Sequence, residues 1–171
     1  MKVVLALGGL LALAGCGLQP VYSGGTRGVA ATTLGQIAVA PIADRAGYLI
    51  RQALRDRLGA PAAAQPYRLE VELQDEIVGF GVRGDNSIAR ERRTLSARYR
   101  LVAVANGAVV LDASATSDVG IDRVSSDYAV VAAETTALDR LAIELADQIT
   151  ARIARAAQAG KLAGALPAPP P

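Results

Sequence analysis

Few residues in this chain can form or carry a bond. Cys16 is the only cysteine in 171 residues, and it closes the run Leu13-Ala14-Gly15-Cys16. Small residues followed at once by cysteine form the lipobox pattern, in which the thiol takes a thioether-linked diacylglycerol and the chain is cut before it. The alternative is an ordinary leader with a chance cysteine, since short motifs recur by accident. A lone cysteine excludes an intramolecular disulfide. Histidine is absent, so Ser-His-Asp and Cys-His nucleophiles lack their base and imidazole zinc sites lack their ligands. Asp75 and Glu76 are adjacent acids, but neighbours in a strand point to opposite faces and cannot share a general acid/base task. The reading is a non-enzyme, with no catalytic residue, no metal set and no cofactor.

Positive charge rests almost wholly on arginine, the only lysines being Lys2 and Lys161. Arg83, Arg90, Arg92, Arg93, Arg98 and Arg100 crowd one stretch against Asp85 and Glu91. Guanidinium forks suit phosphates and sugar acids, and Arg90, Arg92 and Arg93 are the candidate anion contacts. Two other readings stay open: a solvated face that contributes only solubility, and pairing with acids on a partner. A net charge of +2 falls to +1 once Lys2 leaves with the leader, so no global field recruits nucleic acid.

Positioning falls to a modest set of elements. Residues 1–15 are a basic start and an apolar run too short to span a bilayer as a helix, hence a signal peptide. Residues 16–34, rich in Gly, Ser and Thr, read as a lipidated N-terminus and tether. A single globular domain is expected over 35–158, with 51% hydrophobic residues in the chain to supply its core. Its first strand is Gln36 to Ala40, stopped by Pro41. Asp44 caps a helix over Arg45 to Leu58, with Ile50, Ala53, Leu54 and Leu58 on one face.

Tyr67, Leu69, Val71 and Leu73 then alternate with Arg68, Glu70, Glu72 and Gln74, a strand with one wet face. A polar loop around Gly84 to Ser87 leads to a third strand, in which Leu95, Ala97, Tyr99, Leu101 and Ala103 share a face. Asn106-Gly107 marks a hairpin. A two-residue turn would scramble the apolar side, whereas a three-residue loop, Ala105 to Gly107, with Gly107 in a left-handed bulge, sets Leu101 against Leu111, Tyr99 against Ala113, Ala103 against Val109 and Arg100 against Asp112. Val102, Val104 and Val110 would then form an apolar patch on the outer face, either a partner interface or a surface under a loop or the tether. Ser126 or Asp127 caps a long helix to Ala157, with Val131, Leu138, Leu141, Leu145, Ile149 and Ile153 as its stripe. Residues 159–171 form a proline-rich disordered tail.

One apolar face per strand and one stripe per helix give a two-layer α+β sandwich. Its mostly antiparallel four-stranded sheet carries two helices on one face, in the order β-α-β-β-β-α.

With these elements placed, the chain resembles the lipopolysaccharide-assembly lipoproteins of the LptE type. The resemblance lies in CGLQPVY (Cys16 to Tyr22), IADRAGYLIRQALRDRL (Ile42 to Leu58), ARERRTLSARYRL (Ala89 to Leu101) and SSDYAVVAAETTALDRLAIELADQI (Ser125 to Ile149), in that order and spacing. Leu18 departs from the aromatic common there. The resemblance implies a lipid-anchored outer-membrane protein that plugs a large LptD-type β-barrel, assists its assembly and binds lipopolysaccharide. Gly17, rather than aspartate, after the cysteine fits outer-membrane sorting by the same likeness. The rival class is an auxiliary lipoprotein of an ABC-type lipid transporter, which co-purification with a barrel would separate.

Overall fold

A computed structural model describes residues 28–82 and 88–162. Cys16, the expected signal peptide, Arg83 and the loop at Gly84 to Ser87 lie outside those residues, as do residues 163–171 of the expected tail; its first residues, 159–162, are instead ordered against the domain, with Leu162 buried in the core. The elements are α1 (Val29–Gly35), β1 (Ile37–Val39), α2 (Asp44–Leu58), β2 (Tyr67–Val82), β3 (Ile88–Ala103), β4 (Val109–Asp122) and α3 (Asp127–Gln158). They form a four-stranded sheet in the order β1-β2-β3-β4. β1 runs parallel to β2 and the remaining pairs are antiparallel, so α2 is the crossover that a parallel pair requires.

Alternation along β2 to β4 gives the sheet one apolar face. Tyr67, Leu69, Leu95, Ala97, Tyr99 and Leu101 on that face join Ile50 and Leu54 of α2 and Leu141, Leu145, Ile149 and Ile153 of α3 in one buried cluster. Both long helices therefore pack on the same face. Polar ties fix them there: Arg57 of α2 pairs with Asp147 of α3, the Ser117 hydroxyl donates to Glu144 at 2.6 Å, and the Tyr67 hydroxyl donates to the Leu162 carbonyl at 2.8 Å. Gly47 of α2 has the backbone of Ile42 folded against it, where a Cβ would stand at 2.8 Å from the Ile42 carbonyl oxygen. Among the described residues no helix is long and apolar enough to cross a membrane.

The fold departs from the sequence expectations in several of its elements. The end of the expected tether is the helix α1, whose Ala30 and Leu34 enter the core; this is burial without local periodicity. Asp44 is the first residue of α2 rather than its cap, with φ 65° and no capping hydrogen bond from the preceding Ala43. Val131 is 59% exposed while Val130 is buried, because Val131 overhangs an open cleft at the start of α3.

The strands are also longer than the alternation had marked, β2 and β3 each reaching 16 residues. At the hairpin, Leu101↔Leu111, Tyr99↔Ala113 and Arg100↔Asp112 pair as expected, but Val102 faces Val109 across a register shift. The Ala103 N–H reaches the Ala108 carbonyl and the Gly107 N–H reaches the Ala103 carbonyl. The loop is thus Val104 to Gly107, one residue longer than expected, and the extra residue is absorbed as a bulge at Val110. Gly107 does take φ 70°, a conformation that costs a side-chain-bearing residue. Ser126 caps α3 by accepting from the Ala129 N–H.

Candidate functional site

The arginine-rich run lies on β3, at the end of the sheet where α3 begins. Register puts Arg90 opposite Phe80 and Asp122, Arg92 opposite Val78 and Gly120, and Arg93 opposite Ile77 and Val119. Since adjacent strand residues face opposite ways, the expected trio is divided. Arg90 and Arg92 stand on the outer face with side chains 64% and 60% exposed, whereas Arg93 turns toward α3 and is 12% exposed.

Arg93 is fully engaged. Its Nε and Nη2 donate to the two carboxylate oxygens of Asp75 at 2.9 and 2.6 Å, and its Nη1 donates to the Glu134 carbonyl at 2.7 Å. The Asp75 hydrogen bonds raise its pKa above the usual arginine value, outweighing the opposing effect of burial. It thus clamps β2 and β3 to the first turns of α3. Glu76, as expected, points away from Asp75, opposite Thr94.

Each arginine of the outer pair has one carboxylate beside it. Arg90 meets Asp122 at 2.8 Å, and Arg92 is 3.6 Å from Asp118. Arg92 also lies over the Phe80 ring, 5.6 Å from its centroid, a cation–π geometry. Val78 and Phe80 are themselves exposed. Guanidiniums and apolar side chains thus share one surface, suited to an amphiphile with anionic groups and hydrocarbon. Sequence reasoning missed Val78 and Phe80, though alternation from Arg68 through Glu76 already placed them on the outer face.

Nearer the hairpin, the outer face is a mesh of ion pairs. Arg98 meets Asp112 at 3.0 Å, and Arg100 lies 3.4 and 3.5 Å from Glu70 and Glu72. Arg98 holds the Asp112 carboxyl below its usual pKa. These arginines are committed within the domain. On the inner face beside Arg93, Glu91 is buried and paired with Arg123 at 2.6 Å.

The expected apolar patch is not one surface. Val102 is buried and Val104 exposed, while Val110 packs partly against the core, because the bulge turns it there. Val104 and Val109 are the exposed valines at that hairpin.

A family model described as LptE, lipopolysaccharide-assembly, matches residues 34–153. No curated protein matches the chain. Among solved structures, a candidate lipoprotein from Caulobacter crescentus is 27% identical, with TM-score 0.61, 75% of this chain and 96% of that one being covered. Rare lipoprotein B from Shewanella oneidensis is 11% identical, with TM-score 0.53 and coverage of 74% and 95%. A minor lipoprotein from Acinetobacter baumannii is 14% identical, with TM-score 0.54 and coverage of 70% and 88%; these last two likenesses are of fold.

Proposed function

Because the chain belongs to the LptE lipopolysaccharide-assembly family, we propose that it is an exported outer-membrane lipoprotein, cut before Cys16 and acylated there, that plugs the large translocating β-barrel, assists its assembly and binds lipopolysaccharide. Family membership is the observation that carries this reading, and it favours the barrel over an ABC-type transporter as the partner. Within it, Arg90 and Arg92 contact anionic groups of lipopolysaccharide, while Val78 and Phe80 lie against its hydrocarbon. Arg93 supports that surface from behind through Asp75 and Glu134.

Detergent pull-down through a tag placed after Pro171, with partners identified by mass, tests the reading. A stable one-to-one complex with a large barrel is expected. Recovery of inner-membrane transporter subunits, with no barrel, would refute it in favour of the auxiliary role. Lipopolysaccharide binding by Arg90→Gln/Arg92→Gln, measured at low and high salt, tests the ligand surface. Binding should weaken and its salt dependence flatten, because exposed charges are screened over roughly 8–10 Å. Unchanged binding at both salt concentrations would return the two arginines to solubility. Normal ligand binding with loss of barrel co-purification would assign them to the wall.

A further inference from the structure

A second cationic surface lies at the opposite end of the sheet. A cleft of about 280 Å³ between the start of β4 and the last turns of α3 is lined by Leu111, Arg152, Arg155, Ala156, Ala159 and Lys161. All three charged residues in that lining are cations and all are exposed. None of them forms an ion pair among the described residues. This contrasts with the outer sheet face, where each arginine has a carboxylate near it. Beside the cleft is the β3–β4 hairpin, whose exposed apolar side chains include Val104 and Val109.

Several chain segments converge on this end. Leu162, following α3, accepts from Tyr67 at the start of β2. Tyr67 pairs with Ile37 at the start of β1 and with Ala103 at the end of β3. The seven residues of α1 lead directly into β1, so the chain from the N-terminus joins the domain within about 10 Å of this end. Eleven residues, 17–27, separate Cys16 from Gly28, a reach of at most about 40 Å.

We infer that the Arg152, Arg155 and Lys161 surface, with the Val104–Val109 hairpin tip, docks on the anionic phospholipid surface of the leaflet that holds the Cys16 acyl chains. This rests on Cys16 being the acylation site. Unpaired cations beside exposed apolar side chains match a lipid interface, with charge at the headgroups and valines at the acyl boundary. The tether holds this end of the domain near the bilayer, so the cations act at high effective concentration. Docking leaves the far end of the sheet, with Arg90, Arg92 and Phe80, directed away from that surface.

The test uses the chain from residue 16 to 171 with Cys16→Ser, so that acyl chains do not mask the surface, together with the acylated wild type. Partition of the Cys16→Ser chain onto phosphatidylglycerol-containing vesicles is compared with pure phosphatidylcholine. Each cation near an anionic surface contributes roughly fivefold, so Arg152→Gln/Arg155→Gln/Lys161→Gln should lose on the order of a hundredfold in partition. Arg152→Lys/Arg155→Lys should retain it, since a lipid surface needs charge rather than a fork. Circular dichroism melts verify that each variant is folded. Equal partition of the triple variant and its parent, or indifference to phosphatidylglycerol, would overturn the proposal. A lowered melting temperature with unchanged partition would also overturn it, assigning the cations to the α3 C-terminal dipole. A response to lipopolysaccharide aggregates but not to phosphatidylglycerol would make lipopolysaccharide the occupant instead. Flotation of the acylated wild type with phosphatidylcholine tests the anchor separately; its failure, with phosphatidylglycerol binding intact, would overturn the anchor and leave the surface standing.

Discussion

Arg93→Gln removes three charge-assisted hydrogen bonds, two to Asp75 and one to the Glu134 carbonyl. Bonds to charged groups contribute about 1.5–3 kcal/mol each when well shielded, and this arginine side chain is 12% exposed against 28% for Asp75. Glutamine can retain one contact and water reaches the carboxylate, so the expected loss is about 2–4 kcal/mol rather than the full sum. At roughly 4 °C per kcal/mol for a domain of this size, thermal unfolding of the Cys16→Ser chain should shift down by about 8–16 °C. Arg90→Gln and Arg92→Gln, on exposed side chains, should each stay within about 0.5 kcal/mol. A double-mutant cycle with Asp75→Asn should show a coupling of about 1–3 kcal/mol. Below the melting transition, Arg93→Gln should bind lipopolysaccharide like wild type. An Arg93→Gln protein melting within about 2 °C of wild type, or a cycle with no coupling, would refute the clamp. Selective loss of ligand binding with normal stability would return Arg93 to the ligand surface.

Leu145, fully buried in the central cluster, should not tolerate aspartate: Leu145→Asp places an unpaired carboxylate in the core, and loss of the cooperative melting transition checks this. Burial raises the Tyr99 phenol above its ordinary value of 10.0. The unfolded chain then releases its proton first, so the contribution of Tyr99 to stability is fully present below pH 10.0 and is lost as pH climbs toward the folded value. Urea midpoints should therefore fall less steeply above that pH in Tyr99→Phe than in wild type, and identical slopes would count against the burial effect. Gly107→Ala, at φ 70° with open space around the added carbon, should cost about 1 kcal/mol through backbone strain alone, read as a lower urea midpoint with unchanged slope. A clickable palmitate analogue should label the wild type and not Cys16→Ser, and label retained in the variant would exclude Cys16 as the attachment site.

Where a pattern repeats, the sequence was enough to place it. Alternation fixed the Leu101–Leu111 register, and the α3 stripe from Leu138 to Ile153 is buried throughout. Helix α1 escaped because Val-Ala-Ala-Thr-Thr-Leu-Gly has no sustained period, although Ala30 and Leu34 enter the core cluster. Tertiary burial makes that helix, and no local signal announces it. The division of the arginines was legible in principle. The alternation that separates Asp75 from Glu76 also separates Arg92 from Arg93, yet local charge density suggested a single cluster. At the hairpin, one extra loop residue moved Val110 from the outer face toward the core, and hydrophobic pattern alone does not specify where such a bulge falls.

Sheet order matches chain order. Each strand therefore finds its partner in the next strand along the chain, and β2, β3 and β4 can zip in succession without waiting for a distant segment. The packing of α3 against α1, α2 and the sheet, and the Tyr67–Leu162 hydrogen bond, close the long loops. Pairing between strands adjacent in sequence shortens the time for which their edges stay unpaired. A chain delivered unfolded to the far side of a membrane would gain most from that economy, since its meander can form before the final helix arrives to cover it.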